Sequence, residues 1–150
     1  MTAPLIVQCG AGKLPGIHAV IDLYTGPLWS TLRKVRQELG ALPVPVYVLS
    51  ARYGVVPVSR RVPSYNAVLD ANPTEPHHVH PDSIVPLVSQ QLRDHGIGVA
   101  DFCGSQLYTD ALVAAGADIR HRVGGKGIRS KPGYARQALR VYLLHAAGRA

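Results

Sequence analysis

An α/β domain with a mainly parallel sheet of about four strands is predicted by the order of the chain, in which short apolar runs alternate with amphipathic segments. The runs are too short for helices, and the segments between them repeat apolar residues at helical spacing. Each run also stops at glycine set beside polar residues. Right-handed crossovers then place helices on both faces of the sheet, giving three layers, α/β/α.

The first run, Leu5-Ile6-Val7-Gln8-Cys9, reads as a buried strand closed by Gly10, with a long glycine-containing loop after it. From Pro27 the positions Leu28, Leu32, Val35 and Leu39 share one helical face, with Arg33, Lys34 and Arg36 between them and Gly40 as the stop. Pro43 and Pro45 lead into a second strand, Val46 to Leu49. Residues 51–80 carry Pro57, Pro63, Pro73 and Pro76 and read as a long irregular segment, a length usually tied to function or disorder. A second helix runs from Pro81 and Asp82 through Ile84, Val85, Val88 and Leu92 to Gly96, and Pro86 fits it only within the first turn. A third strand (98–103), a helix (105–115), a fourth strand (118–123) and a last helix (133–147) complete the alternation within one domain, residues 1–150.

Mean hydropathy is slightly positive and 47% of the residues are hydrophobic, enough for a core that folds unaided. The start of the chain lacks a basic leader, and no apolar run nears the roughly 20 residues that span a bilayer, so a soluble, cytoplasmic protein without a membrane partner is expected. Cys9 and Cys103, near strand ends, read as reduced core residues.

The net charge of +7 is unevenly spread. Residues 1–118 hold nine acidic and eight basic residues, whereas residues 119–150 hold eight basic and no acidic ones: Arg120, Arg122, Lys126, Arg129, Lys131, Arg136, Arg140 and Arg149. Clustered cations of this kind point to a polyanion, and nucleic acid is the expected partner, DNA before RNA; a solvated basic helix is the bland alternative.

Four strand ends converge in a parallel sheet, where open α/β domains bind ligands. The first, Gln8 to Lys13, lacks the full phosphate-loop pattern, which argues against a nucleoside triphosphatase. The second, Ser50-Ala51-Arg52-Tyr53-Gly54, brings a hydroxyl, a guanidinium and a phenol to one turn. Arg52 suits a bidentate grip on phosphate or carboxylate, and Tyr53 and Tyr65 suit stacking on a base or covering a core edge. The third is Cys103 to Gln106. The fourth, Gly124 to Gly133, offers bare amides with Lys126, Arg129 and Lys131 ahead of the helix that carries Arg136, an anion-binding arrangement. In the loop before the first helix, Asp22 is either a general base or a turn residue, with Tyr24 beside it. His77, His78 and His80 match no standard zinc spacing, so neither a metal nor another cofactor is expected. A G-x-S-x-G elbow is missing, which removes an α/β-hydrolase triad.

Asp22-Leu23-Tyr24-Thr25-Gly26-Pro27-Leu28, Leu49-Ser50-Ala51-Arg52-Tyr53-Gly54-Val55-Val56 and Pro63-Ser64-Tyr65 resemble the motifs of a family of small, largely uncharacterised bacterial and phage domains. The second and third also resemble those of the YaaA peroxide-stress proteins, and the layout is similar to the uracil-DNA-glycosylase-like domain of archaeosine synthases. The resemblance is close over residues 5–70, with Arg52 where the family carries lysine. It implies a uracil-DNA-glycosylase-like domain tied to DNA damage or modified bases.

The combined expectation is a DNA-glycosylase-like, base-processing hydrolase of DNA repair that cleaves an N-glycosidic bond and takes its base flipped out of the duplex. Asp22 and Ser50 are the candidate catalytic residues, Asp22 at the water or the sugar and Ser50 at the base edge. Gln8, Gly10, Lys13, Tyr24, Arg52, Tyr53 and Tyr65 are the candidate substrate contacts. Lys126, Arg129, Lys131 and Arg136 are the candidate nucleic-acid contacts. A non-catalytic DNA-binding stress-response protein and a small-molecule nucleotide or nucleoside enzyme are the alternatives.

Overall fold

A computed structural model describes residues 3–124 and 133–148. Its centre is a sheet of five strands: β1 (Leu5–Gln8), β3 (Val46–Ser50), β4 (Gly54–Pro57), β8 (Val99–Cys103) and β9 (Asp118–Arg122), in the order β4-β3-β1-β8-β9. The four strands β3, β1, β8 and β9 run parallel, as predicted, and Leu5, Ile6 and Val7 of β1 are fully buried between their neighbours. The fifth strand, β4, is a correction to the sequence reading. It turns back antiparallel on β3, pairing Ser50 with Gly54 and Tyr47 with Pro57.

Chain order decides the faces. β1 passes through α2 (Pro27–Leu39) to β3 on one side, whereas α3 (Pro81–Asp94) and α4 (Gln106–Ala114) serve crossovers that move the other way, to β8 and then β9. Right-handed crossovers in opposite directions put their helices on opposite faces. Accordingly α3 packs against α4, and α2 packs against the last helix, α5 (Tyr134–Ala146).

Helix α2 begins with proline at its first position, where the missing N–H is no loss, and ends at Gly40 in the left-handed conformation with φ 82°. Trp29, Leu32 and Val35 are its buried face. Helix α3 carries Pro86 five residues past its first residue, beyond the turn in which the sequence reading tolerates it. Its ring faces outward, where the carbonyl it leaves unpaired can be hydrated.

The segments read as loops hold short structure. Between β1 and α2 lie β2 (Ile17–Ala19) and the single turn α1 (Val20–Leu23), so Asp22 is helical. Within residues 51–80, besides β4, are β5 (Arg61–Pro63), antiparallel to β2, and the parallel pair β6 (Val68–Leu69) and β7 (His78–Val79). Both cysteines are free and buried, and burial pushes the Cys103 thiol up to about 12, so it stays protonated. No helix among the described residues is long and apolar enough to cross a membrane.

On the β8–β9 side of the sheet, Asp101 of β8 is fully buried and charged. An extra residue in β9 breaks the register opposite it, and Arg120 folds over to give a two-pronged ion pair, Nε to Oδ1 at 3.0 Å and Nη2 to Oδ2 at 2.7 Å. The Tyr142 hydroxyl of α5 donates to the same carboxylate at 2.5 Å. Burial raises the Asp101 pKa, but the Arg120 and Tyr142 hydrogen bonds and the Arg120 charge outweigh it and hold the carboxyl below its ordinary value.

Candidate functional site

The parallel strands deliver Gln8, Ser50 and Cys103 to one edge of the sheet, where two clefts open side by side. The first, of about 260 Å³, lies over the ends of β1 and β8 and is lined by Gln8, Gly10, Trp29 and Ser105, with Pro27 and Ala135. It sits beside β1, where the crossover from β1 to β3 and the later crossover from β4 to β8 run in opposite directions, the usual ligand crevice of an open α/β sheet. Three helices begin at its wall, since the lining residues Pro27, Ser105 and Ala135 are the first residue of α2, the N-cap of α4 and the second residue of α5. Among the described residues their N-cap residues Gly26, Ser105 and Gly133 make no side-chain capping bond.

Gln8 is fixed in this cleft by its carboxamide oxygen, which accepts the Ser105 N–H at 2.7 Å. Gly104 permits that reach: a Cβ there would stand 2.5 Å from Phe102 Cζ and 2.8 Å from Gln8 Cβ. The Gln8 backbone carbonyl accepts the Trp29 indole N–H at 3.0 Å. The carboxamide NH₂ makes no hydrogen bond among the described residues and is the group a ligand would meet.

The second cleft, of about 480 Å³, lies over the end of β3 and is lined by Arg52, Tyr53, Ser64, Tyr65 and His77 among others. Under it runs a chain of hydroxyls. Ser50, fully buried, accepts the N–H groups of Arg52 and Tyr53, both at 3.0 Å, and donates to the Tyr65 hydroxyl at 2.8 Å. Tyr65 and Tyr24 hydroxyls meet at 2.5 Å. The acceptor sites of Ser50 are used by two amides, so its own proton belongs to Tyr65; of the two phenol protons, one fills the contact between the rings and one is left over. Burial is the main cause that raises the pKa of both phenols, so they act as hydrogen-bond donors and not as bases.

Lys13 completes this cluster. Its backbone bridges to Tyr24, and Arg33 fixes the Tyr24 segment by donating to the carbonyls of Ile21 at 2.9 Å and Tyr24 at 2.8 Å. The Lys13 ammonium lies 4.5 Å from the centre of the Tyr65 ring and 5.9 Å from that of Tyr24, and burial lowers its pKa. Tyr53 meets Tyr65 edge to face at 5.1 Å and donates from its hydroxyl to the Pro63 carbonyl at 2.9 Å.

Of the residues singled out from sequence, the structure therefore brings Gln8 and Gly10 to the first cleft, Arg52, Tyr53 and Tyr65 to the second, and Lys13, Tyr24 and Ser50 to the cluster between and beneath them. Asp22 is not among them. Its half-exposed carboxylate points to Arg36 of α2 at 3.6 Å, and it lines neither cleft. Ser50 is a scaffold for the Arg52 turn, since its proton and lone pairs are committed.

Lys126, Arg129 and Lys131 lie outside the described residues, and Arg136 is exposed near the start of α5. Two other cations of the basic segment are absorbed structurally, Arg120 by Asp101 and Arg140 by Glu38 at 2.9 Å. His18 and His80 serve local geometry, His18 within 2.8 Å of the Pro15 carbonyl and His80 accepting the Asp82 N–H at the start of α3.

Sequence reasoning overlooked Trp29 and Tyr108, whereas Ser105 falls within the Cys103 to Gln106 strand end it singled out. Trp29 and Ser105 flank helix starts that the glycine and proline punctuation did mark. Tyr108, whose hydroxyl accepts the Leu69 N–H at 3.1 Å and lies 3.7 Å from Cys9 Sγ, carries no such signal.

Fold and site together define an α/β protein with two clefts at the carboxyl ends of the parallel strands of a mostly parallel sheet. The chain belongs to a family of unknown function, DUF6884, whose profile matches residues 5–136. Searches of curated proteins and of solved structures gave no significant match.

Proposed function

We propose that this protein is a base-processing enzyme acting on nucleic acid, DNA in preference to RNA, that cleaves the N-glycosidic bond of a modified or damaged base. The observation that carries the reading is the convergence of three helix N-termini on a cleft at the crevice of the sheet, next to a second cleft walled by Tyr53, Tyr65 and Arg52. Helix N-termini favour phosphate, and aromatic walls favour a base taken out of its stack. The nucleotide then spans the two clefts, its phosphate on the amides of α2, α4 and α5 and its base against Tyr53 and Tyr65.

Cleavage sends the electron pair of the bond between sugar C1′ and the base nitrogen onto the base, while water adds to C1′ and the proton it gives up ends on the departing base. The groups we assign to the charge on the departing base are the Lys13 ammonium and the spare phenol proton of Tyr24 and Tyr65, which lie in a partly dry setting where preorganised donors act strongly. Arg52 and the basic C-terminal segment grip backbone phosphate. The resemblance to YaaA proteins and to the glycosylase-like domain of archaeosine synthases supports the same substrate class.

A second reading, a non-catalytic DNA-binding stress-response protein, is favoured by one observation: among the described residues that line the two clefts, none is a carboxylate. One experiment separates the two. Purified protein is incubated with single- and double-stranded DNA carrying a panel of modified bases, and free base and abasic sites are quantified alongside salt-dependent binding. Base release that is lost in Lys13→Met supports the enzyme. Binding with a steep salt slope and intact DNA supports the second reading, and failure to bind at low salt overturns both.

A further inference from the structure

The segment between β6 and α3 holds a cluster that the proposed chemistry does not use. One carboxylate oxygen of Glu75, Oε2, stands 3.3 Å from Nε2 of His77 and 3.6 Å from Nε2 of His78. One ligand atom from each of the three residues lies within 4.8 Å of the others. In a tetrahedral site with bonds of about 2.0–2.1 Å, neighbouring ligand atoms are separated by about 3.3–3.4 Å, so the two histidine-to-carboxylate distances already approach coordination edges.

The orientation of His78 is imposed from behind. Its Nδ1 lies 2.7 Å from Asp70 Oδ2, and Asp70 is itself fixed by accepting the Asn72 N–H at 2.9 Å through its other oxygen. A proton on Nδ1, donated to Asp70, leaves the Nε2 lone pair of the neutral ring facing the Glu75 carboxylate, acceptor against acceptor. A cation between them resolves that opposition. A carboxylate behind the ring, opposite the ligating nitrogen, is also the usual outer partner of a metal-bound histidine.

We propose that Glu75, His77 and His78 bind a divalent transition-metal ion of zinc type, with Asp70 as the positioning residue behind His78. Two imidazoles and one carboxylate are the donor set suited to such an ion, and three protein ligands leave a position of a four-coordinate ion to water or an exogenous ligand. His77 also lines the cleft of Arg52, Tyr53 and Tyr65, so the ion stands at the border of that cleft. The site does not depend on the glycosidic reading, because it follows from the donor geometry alone.

The test uses the untagged full chain, stripped with chelator, and titrated with Zn²⁺ by calorimetry and with Co²⁺ by visible absorption. One equivalent binds, the Co²⁺ complex shows the intense visible bands of low coordination, and Zn²⁺ raises Tm. His78→Gln and His77→Gln each abolish the Co²⁺ bands, Asp70→Asn weakens affinity by about 10- to 100-fold, and His80→Gln, outside the cluster, leaves stoichiometry unchanged. The His77 ring is partly exposed, so that variant remains informative if His78→Gln perturbs folding. Absence of saturable binding, or binding of equal strength in His77→Gln, overturns the proposal.

Discussion

The Ser50 hydroxyl donates to the Tyr65 hydroxyl at 2.8 Å while holding the Arg52 and Tyr53 amides from the other side, each at 3.0 Å. One buried side chain thus shapes the turn that presents Arg52 and anchors the phenol beneath it. Ser50→Ala leaves two amides and one phenol without their partner, and unsatisfied buried polar groups cost about 1–3 kcal/mol. The variant is expected to unfold at lower urea with an unchanged m-value, and denaturant titration followed by circular dichroism checks it.

The turn after Ser50 also rests on Gly54. Its φ of 71° is left-handed, and an added Cβ would overlap the Gln91 carboxamide oxygen. Gln91 cannot simply swing away, because that oxygen accepts the Val55 N–H at 2.7 Å and its NH₂ donates to the Tyr53 carbonyl at 2.8 Å. Gly54→Ala is expected to destabilise by about 2 kcal/mol or more, from the left-handed backbone and the lost hydrogen bonds together, and a thermal melt beside wild type measures it.

Arg120→Met leaves the fully buried Asp101 with Tyr142 as its side-chain donor among the described residues, and because the Arg120 guanidinium is half exposed the destabilisation is expected to be smaller than for a pair buried on both sides. The pH dependence has a definite sign. Because the folded Asp101 pKa is depressed, its contribution is present above the ordinary carboxylate value of about 3.9 and is lost as pH falls through the folded value. In Arg120→Met burial prevails and raises that pKa, so acid unfolding begins at higher pH. Stability curves of the two proteins across the acid range decide the point.

Alkaline titration gives the opposite sign. Tyr24, Tyr65, Tyr108 and Tyr142 all have raised pKa values with burial as the leading cause, out of seven tyrosines in the chain. The unfolded chain ionises near about 10, whereas the folded chain keeps these protons, so stability is full below that pH and falls as pH rises above it. Absorbance of tyrosinate should show a fraction that ionises early and a remainder that appears only with unfolding.

In the proposed chemistry, Tyr65→Phe removes the link between Ser50 and Tyr24 and slows base release more than it weakens DNA binding. Single-turnover rates measured beside binding constants separate those effects. Equal losses in both would assign Tyr65 to binding alone.

Much of this architecture was legible in the chain. Val46 to Leu49 had to be a buried strand, Pro27 and Gly40 had to bound a helix, and the repeated alternation had to give a parallel sheet whose ends collect Gln8, Ser50 and Arg52. Those features are local, since periodicity and backbone punctuation record which face is buried and where an element stops. The short strands within residues 51–80 escaped because two- and three-residue pairings leave no periodic trace.

The sequence by itself determined the layers, the strand-end location of the candidate site and membership in the family. Only the tertiary structure decided that β4 turns back antiparallel, that Asp22 faces Arg36, that Tyr24 meets Tyr65 across 41 residues, and that Glu75 comes to two histidines backed by Asp70. The reason is physical. Burial follows from the spacing of apolar residues along one element, whereas the partner of a polar group depends on loops and crossovers that bring distant elements together.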